Sequence, residues 1–299
     1  WGNAGLHNDN VLTPQMVRLA TEEGAVLTRH YTYPWCAPSR SALMTGIMPH
    51  LGLQNDGQRI PESVVMLPQV MKAAGYSTHH IGKWHLGMLR TWQHPTSRGF
   101  DTSVGFMNGG EDYETQNSAG EENADWGCEG IDFLENAKPA LGRNGTFSMT
   151  WIRSELSRVV HRPEDSATPL FLFVALQAMH SPSPGPERLA GAVDKYAAAG
   201  IADARFAETN ALITMADELL ADAVELLRET NRWDNTLLIH LSDNGGQVTD
   251  TKGTHPPPLP NDPWASQGNN WPLRGMKRSF FEGGVRVPAF VTGGALPST

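Results

Sequence analysis

Short apolar runs alternate with longer amphipathic segments along this chain. Five runs rich in β-branched and aromatic residues have the length of strands, and each is followed by polar or Gly-containing residues: Ala25–Tyr31, Ser77–Ile81, Leu170–Leu176, Thr236–Leu241 and Val287–Thr292. Apolar residues recur at helical spacing over Asp203–Thr230, and a second helix is predicted over Pro61–Ala74, ended by Gly75. This alternation predicts an α/β fold with a largely parallel sheet covered by helices.

Polar clusters follow three of the predicted strands. Lys83 and His85 come after the second strand, His180 after the third, and Asp243 with Asn244 after the fourth. Because sites in open α/β sheets gather at the carboxyl ends of strands, we expect these side chains to share one pocket.

No linker and no internal repeat divides residues 1–299, so we expect a single catalytic domain over the whole chain. The segments 109–130 and 249–270 are rich in Gly, Asn, Pro and acidic residues, and they are interpreted as long surface loops that line the site. The longest apolar stretch, Leu170–Leu176, falls well short of the roughly 18 residues that a spanning helix needs. We therefore predict no membrane span.

Composition and charge narrow the possible partners. The formal net charge is -9 without a dense Lys/Arg block, which gives no electrostatic footprint for nucleic acid. An anionic substrate would have to be bound by a few local cations rather than by the field of the whole protein. Two cysteines, Cys36 and Cys128, do not make a disulfide scaffold. The glycosylation sequon at Asn144 would be used only on a secretory route.

Residues 36–46 carry the first candidate for catalysis. Cys36 precedes a short helical run that Gly46 would end, and Pro38 suits its first turn. The free backbone N–H groups there favour an anion, and Arg40 adds a fixed positive charge. Taken alone, this segment fits an inert buried thiol, a thiolate hydrolase or a more specialised nucleophile.

The Cys-x-Pro-Ser-Arg pattern at 36–40 resembles the signature of the sulfatase family. The resemblance extends through most of the chain and is closest to the arylsulfatase B (N-acetylgalactosamine 4-sulfatase) subgroup. The other matching segments are Gly82-Lys83-Trp84-His85-Leu86-Gly87, Arg98-Gly99-Phe100-Asp101, Gly105-Phe106, His180, Asp243-Asn244-Gly245-Gly246, Asn269-Asn270-Trp271-Pro272-Leu273-Arg274-Gly275, Lys277 and Glu282-Gly283-Gly284. Several signatures in the family's order are far more specific than one pentapeptide.

The resemblance implies an alkaline-phosphatase-like fold with a mostly parallel mixed sheet, and hydrolysis of an aryl or sugar sulfate. A formylglycine-generating enzyme would oxidise Cys36 to formylglycine, whose hydrate has one hydroxyl to attack sulfur and a second that lets the enzyme expel sulfate. A hard divalent cation would lower the pKa of the attacking hydroxyl. Asp243 and Asn244 supply oxygen ligands of the kind Ca²⁺ prefers, with the oxidised residue 36 as a further ligand.

Roles for the cations follow from the same resemblance. Lys83 and His85 lie two residues apart, so on extended backbone both side chains face the same way. This suits Lys83 binding a sulfate oxygen while His85 holds the diol and later acts as base. His180 would protonate the leaving alkoxide or contact sulfate, because an imidazole titrates in the useful range. Lys277 matches the family's other sulfate-binding lysine.

Several residues receive no catalytic role. Arg274 is interpreted as structural, and no role is assigned to four histidines that lie outside the motifs, His50, His79, His80 and His240. Isolated from the motifs, Lys83 and His85 would be a surface lysine and a core histidine, and Asp243–Gly246 a simple turn.

The family's pattern extends beyond both ends of this chain. Relatives carry a calcium-binding Asp-Asp pair just before the position of Trp1, and they continue after Thr299 into a smaller domain. Asp243, Asn244 and the oxidised residue 36 are too few for the roughly six to eight oxygens that Ca²⁺ takes. We therefore expect the 299 residues alone to bind calcium weakly and turn over little. A secreted, periplasmic or lysosomal location is expected by resemblance.

Two alternatives remain at this stage. A phosphate or phosphonate ester hydrolase of the same superfamily would also use a metal, an oxygen nucleophile and paired cations. A non-catalytic binder of sulfated glycans would keep the cationic pocket without the modified residue. Which sulfated small molecule or glycan binds depends on loops such as 109–130.

Overall fold

The computed structural model describes residues 1–51, 60–118, 130–162, 168–248 and 268–297. They form two compact units, one from Cys36–Gln177 and the other from Trp1–Trp35 together with Ala178–Thr299. Cys128 and parts of the two predicted loops lie outside the described residues. No helix among those described is both long and apolar enough to cross a membrane.

The unit 36–177 contains a mixed sheet in the order β5-β4-β3-β2-β6. β2 runs parallel to both of its neighbours, β3 and β6, whereas β3–β4 and β4–β5 are antiparallel pairs. Every residue of β2 is buried, as expected for a central strand between covered faces. The strands are β2 (Ser77–Gly82), β3 (Thr102–Gly105), β4 (Leu134–Glu135), β5 (Lys138–Pro139) and β6 (Leu170–Ala175).

The described part of the same unit has three α-helices: α2 (Cys36–Thr45), α3 (Leu67–Ala73) and α4 (Ser148–Val160). Its core is an apolar cluster of side chains that are at most 5% exposed: Met44, Ile60, Met66, Trp84, Leu86, Phe100 and Met107. The cluster joins α2 and the residues after β2, so it holds the carboxyl end of β2 against the helix that begins at Cys36.

The helix predicted over Pro61–Ala74 is wrong at its start, since α3 begins only at Leu67. Arg98 explains the difference, because its guanidinium donates to the carbonyl groups of Glu62 and Val64 at 3.1 and 2.7 Å. Those carbonyls are therefore taken by a side chain rather than by a helical turn. Pro68 then marks the first turn of α3, where its missing N–H costs nothing.

The unit of residues 1–35 and 178–299 contains an antiparallel sheet in the order β1-β8-β7. Its helices and strands are α1 (Pro14–Thr21), β1 (Gly24–Val26), α5 (Pro186–Ala198), α6 (Ala204–Glu229), β7 (Leu238–Leu241), α7 (Glu282–Val285) and β8 (Ala289–Thr292). The predicted helix Asp203–Thr230 is confirmed as α6. The Asp217 carboxylate of α6 accepts from the Gln15 and Met16 N–H groups, which lack partners inside α1.

All five predicted strands are confirmed in position, although the first is shorter than Ala25–Tyr31. Beyond Val26 the segment is not a regular strand, although an isolated bridge pairs Tyr31 with Arg286 and the Leu27 N–H donates to the Ala289 carbonyl. The expectation of a largely parallel sheet holds for β3-β2-β6 but not for β1-β8-β7, where β8 runs opposite to both neighbours. Periodicity alone gives no strand direction, which is why this sheet was not predicted.

Candidate active site

Cys36 is the first residue of α2, and its side chain is buried, with 4% of the residue exposed. Ser39 and Arg40, one turn further along, are also buried. The helix has the predicted start and ends before Gly46, whose φ of 69° is a left-handed value that ends helices readily. Residue 36 thus lies at the positive end of a helix dipole inside the protein.

Arg40 ties this helix to the carboxyl end of β2. Its Nη1 donates to the Lys83 carbonyl oxygen at 2.7 Å, and both residues are buried. A guanidinium reaches such a carbonyl with a fixed, planar geometry that a lysine would not reproduce. The residue expected to add charge near Cys36 therefore also holds the Lys83 peptide.

The backbone after β2 is held from two sides. The Lys83 N–H donates to the Ala175 carbonyl at the end of β6, and the His85 N–H donates to Met107 beyond β3. Gly82 has a φ of 103°, and a Cβ there would lie 2.1 Å from the Ala175 carbonyl oxygen. Only glycine allows this approach. His85 itself has a φ of 56°, a strained value for a non-glycine residue that is typical of functional sites.

The His85 imidazole hydrogen-bonds to the Cys36 side chain. Burial lowers the pKa of His85 to about 4, with Lys83 and Arg40 adding to this effect, while the contacts with Cys36 act in the opposite direction. Gly109 packs on the ring so closely that a Cβ would lie 3.1 Å from His85 Cε1. Residue 36 therefore faces a neutral, tightly enclosed imidazole.

A network beside this ring fixes the segment that contains Gly109. The Glu111 N–H donates to Gln177 Oε1 at 3.0 Å, and Gln177 Nε2 donates back to the Glu111 carbonyl. The Tyr113 hydroxyl donates to the Gln177 carbonyl at 2.9 Å. These bonds join the loop after β3 to the residues after β6. Neither Glu111 nor Gln177 was predicted as a site residue, although Glu111 lies in the predicted loop 109–130 and Gln177 directly follows the predicted strand Leu170–Leu176.

In the other unit, His180 and Lys277 come together. Lys277 Nζ lies 3.2 Å from His180 Nε2, and His180 Nδ1 lies 2.8 Å from the Ser181 carbonyl oxygen. An ammonium only donates and a carbonyl only accepts, so Nε2 is the acceptor and Nδ1 carries the proton. Their predicted roles, His180 protonating the leaving alkoxide or contacting sulfate and Lys277 binding sulfate, stay predictions.

Asp243 and Asn244 follow β7 in a turn stabilised by a hydrogen bond from the Ser242 hydroxyl to the Asn244 carbonyl, 2.9 Å. Asn244 Nδ2 donates to the Gly245 carbonyl, whereas its Oδ1 is buried and has no hydrogen-bond partner among the residues that the structure describes. A buried amide oxygen without a donor carries a desolvation cost that a cation would remove.

Asn270 was missed as a site residue and fixes the same turn. Its side-chain amide accepts from the Gly246 N–H at 2.9 Å and donates to the Gly246 carbonyl at 2.8 Å. The Lys277 N–H donates to that carbonyl as well, at 3.0 Å. The turn of Asp243 and the segment of Lys277 are therefore joined by hydrogen bonds to Gly246.

The predicted site residues thus form two groups, each within one unit. Cys36, Arg40, Lys83 and His85 are together in one, and the other holds His180 beside Lys277, with the Asp243–Asn244 turn attached to the Lys277 backbone. That the two groups share one pocket stays a prediction. Among the residues that the structure describes, no group of three or more His, Cys, Asp or Glu could hold a metal ion. The Asp243 and Asn244 oxygens fit calcium as part of a larger ligand set.

The fold has clear counterparts among solved structures. Ps i-CgsB, solved in complex with k-i-k-neocarrahexaose, is 26% identical with a TM-score of 0.76, over 98% of this chain and 63% of that chain. The PsFucS1 sulfatase from Pseudoalteromonas sp. gives a TM-score of 0.71 at 24% identity, over 98% and 59%. The predicted fold class is confirmed: an alkaline-phosphatase-like α/β fold with a mixed sheet flanked by helices.

The chain belongs to the sulfatase family, whose model, described as Sulfatase, matches residues 1–297. It is 35% identical to arylsulfatase J of Mus musculus, over 97% of this chain and 45% of that protein. It is 28% identical to N-acetylgalactosamine-6-sulfatase of Homo sapiens, over 97% and 54%. The chain spans about half the length of these curated relatives. The predicted family is therefore confirmed.

Proposed function

We propose that this chain is the catalytic core of a sulfuric ester hydrolase in which residue 36, oxidised to formylglycine, is the nucleophile. The observation that carries the proposal is the buried contact between the Cys36 side chain and the His85 imidazole, framed by Arg40 and Lys83. A formylglycine hydrate supplies a hydroxyl nucleophile and a second hydroxyl whose proton can leave. Maturation would need a formylglycine-generating enzyme.

The side chains of this chain would divide the remaining work. Lys83, 3% exposed, offers a charge in a site from which water is largely excluded, where its attraction to a sulfate oxygen is strengthened. His85 is placed to hold a hydroxyl on residue 36 and to accept its proton. His180 Nε2 accepts from Lys277, so His180 could protonate a leaving oxygen only after Nε2 has taken up a proton, from Lys277 or from solvent.

Calcium is proposed as the metal, with Asp243, Asn244 and residue 36 among its ligands. The buried Asn244 Oδ1 without a hydrogen-bond partner supports a cation at this turn. When bound, the ion would lower the pKa of the attacking hydroxyl. Two oxygens from this turn would fill a minor part of its coordination, so further ligands are required.

A sulfated sugar is the proposed substrate class. The name of the human relative, N-acetylgalactosamine-6-sulfatase, and the oligosaccharide in the Ps i-CgsB structure support it. The expected location, secreted, periplasmic or lysosomal, stays a prediction.

The proposal is tested with the full-length gene product, co-expressed with a formylglycine-generating enzyme and assayed on an aryl sulfate and an aryl phosphate. We expect a higher kcat/KM for the sulfate, and Lys83→Ala should lower it by roughly 100- to 1000-fold, the usual cost of one oxyanion-stabilising group. Lys72→Ala is the matched control, since Lys72 is exposed and pairs with Asp101 at 2.6 Å. Preference for the phosphate would assign the protein to phosphoryl transfer instead.

A further inference from the structure

Two histidines lie side by side in the middle of β2, and each is 1% exposed. Adjacent residues of a strand point to opposite faces, so His79 and His80 enter different surroundings. The ring nitrogens of His79 lie 2.7 Å from the Thr102 hydroxyl and 3.2 Å from the Ser77 hydroxyl. His80 has a different second partner, the backbone of the candidate active site.

His80 Nε2 lies 3.2 Å from the Lys83 carbonyl oxygen, and its Nδ1 lies 2.9 Å from the Ser103 hydroxyl. A carbonyl can only accept, so Nε2 carries the proton and Nδ1 accepts from Ser103. Burial lowers the pKa of His80 to about 3, an effect that Arg40 strengthens and the Lys83 carbonyl opposes. The ring is therefore neutral and adds no positive charge beside Lys83.

The Lys83 carbonyl accepts two hydrogen bonds, from His80 and from Arg40 Nη1. Both lone pairs of this oxygen are thus used, which fixes the plane of the Lys83–Trp84 peptide. That peptide is the first of the two that link the α-carbons of Lys83 and His85. Its orientation therefore determines where an ammonium and an imidazole point relative to residue 36.

We propose that His80 is a positioning residue for sulfate ester hydrolysis, acting through its hydrogen bond to the Lys83 carbonyl. This inference rests on the proposed function, because it assigns catalytic work to Lys83 and His85. In this role His80 bonds to the Ser103 hydroxyl and to the Lys83 carbonyl rather than to the reacting groups. It holds the backbone that carries both side chains.

Three ring neighbours make a clean test possible. The His80 ring packs near Trp84, Phe100 and Phe173, with centroid distances of 5.6, 5.5 and 5.9 Å. His80→Phe should therefore keep the packing while it removes the donor. His80→Gln keeps an N–H donor near the position of Nε2. The matched control is His79→Phe, an equally buried histidine in the same strand whose ring nitrogens bond to strand hydroxyls.

The experiment measures kcat and KM for an aryl sulfate in the four full-length, matured proteins. We expect His80→Phe to lower kcat about tenfold, which corresponds to about 1.4 kcal/mol, with KM changed less than about twofold. His80→Gln should recover kcat to within about threefold of the parent, and His79→Phe should leave it within about twofold. An unchanged kcat in His80→Phe, or an equal fall in His79→Phe, would overturn the proposal.

Amide hydrogen exchange in residues 81–86 separates this inference from the proposed function. The N–H groups of Lys83, Trp84 and His85 all donate to neighbouring backbone, so their exchange reports how firmly the turn is held. We expect faster exchange in His80→Phe than in His79→Phe at matched thermal stability. If the parent protein does not hydrolyse aryl sulfate, the proposed function is wrong. Equal amide exchange in both variants would contradict the positioning role of His80, whatever the activity of the parent.

Discussion

At the scale of single residues, burial decides which groups can carry charge. Glu111 is 0% exposed, and burial raises the pKa of its carboxyl well above the ordinary value, with the Asp132 carboxylate adding to the rise and the Ser148 hydroxyl opposing it. Within the described part of the chain, Glu111 Oε2 has no hydrogen-bond partner. Glu155, 3% exposed, is equally buried but bonds to both Arg143 and Arg158 at 2.6 Å. We therefore expect opposite changes in the free energy of unfolding when each carboxyl is replaced by a neutral amide.

Glu111→Gln should stabilise the protein at neutral pH, by on the order of 1 kcal/mol. A raised folded-state pKa means that stability is complete below the unfolded pKa and is lost as pH rises through the folded pKa. The gain from glutamine should therefore be smallest near pH 4 and grow toward pH 8, as measured by urea unfolding.

Glu155→Gln is the control for this prediction and should destabilise, because it leaves two arginines with a neutral partner. A gain in Glu111→Gln that does not depend on pH, or one that shrinks as pH rises, would contradict the account of Glu111.

Gly109→Ala tests the close packing on the His85 ring. The added methyl would lie 3.1 Å from His85 Cε1, so the ring or the loop must shift. We expect kcat to fall about tenfold or more, since small displacements of catalytic groups are costly. Gly142→Ala is the control, because nothing lies within 4 Å of the added atom, and its kcat should stay at the parent value. Equal kcat in both variants would contradict the role given to this contact.

At the scale of elements, the sequence predicted positions better than directions or starts. Helical spacing over Asp203–Thr230 is long and regular, and it placed α6 correctly. The helix predicted over Pro61–Ala74 was wrong at its start, because Arg98, more than thirty residues further along the chain, donates hydrogen bonds to carbonyl groups there. Local patterns do not contain such tertiary competition.

The same limit applies to the candidate site. Cys36, Arg40, Lys83 and His85 could be predicted from motifs, and the structure brings them together. Asn270 lies inside a motif segment, but no role was predicted for it. His80 lies outside the motifs and was likewise given no role. Their hydrogen bonds reach the Gly246 and Lys83 backbones, and backbone partners leave no pattern in a sequence.

Gly191 and Gly200 give a matched test of backbone preference in and after α5. A Cβ at either position meets nothing within 4 Å, but only Gly200 has a left-handed φ, of 80°. Gly191→Ala should therefore stabilise by about 0.5–1 kcal/mol, and Gly200→Ala should destabilise by about 1 kcal/mol. Urea unfolding of both variants checks the signs. Equal changes in the free energy of unfolding in the two variants would show that backbone entropy and φ do not determine the effect of alanine at these positions.

At the scale of the whole molecule, the net negative charge repels the anionic substrate that we propose. The net charge is -9, so we expect an anionic substrate to be bound by local cations, for which the candidates are Lys83 and Arg40 in one unit and Lys277 in the other. A divalent cation at the Asp243–Asn244 turn would add to them. The sequence predicted Lys83, Asp243 and Asn244 at strand ends, whereas Arg40 and Lys277 came from the family motifs.

Calcium should stabilise the full-length protein in proportion to its occupancy. At about 100 times the dissociation constant, linkage predicts a gain of about 2.7 kcal/mol, measured by urea unfolding with calcium and with a chelator. Asn244→Ala removes the buried Oδ1 and should shrink the gain at the same calcium concentration. Ser242→Ala, which removes a hydroxyl bond to the Asn244 carbonyl, is the control for turn stability. An undiminished gain in Asn244→Ala would exclude this residue as a ligand.

The central claim concerns the chemical state of residue 36, and mass spectrometry of the tryptic peptide 30–40 measures it directly. After co-expression with a formylglycine-generating enzyme, we expect this peptide to be about 18 Da lighter than its cysteine form, because a thiol has been replaced by an aldehyde. A peptide that keeps the full cysteine mass under those conditions would contradict the proposed nucleophile.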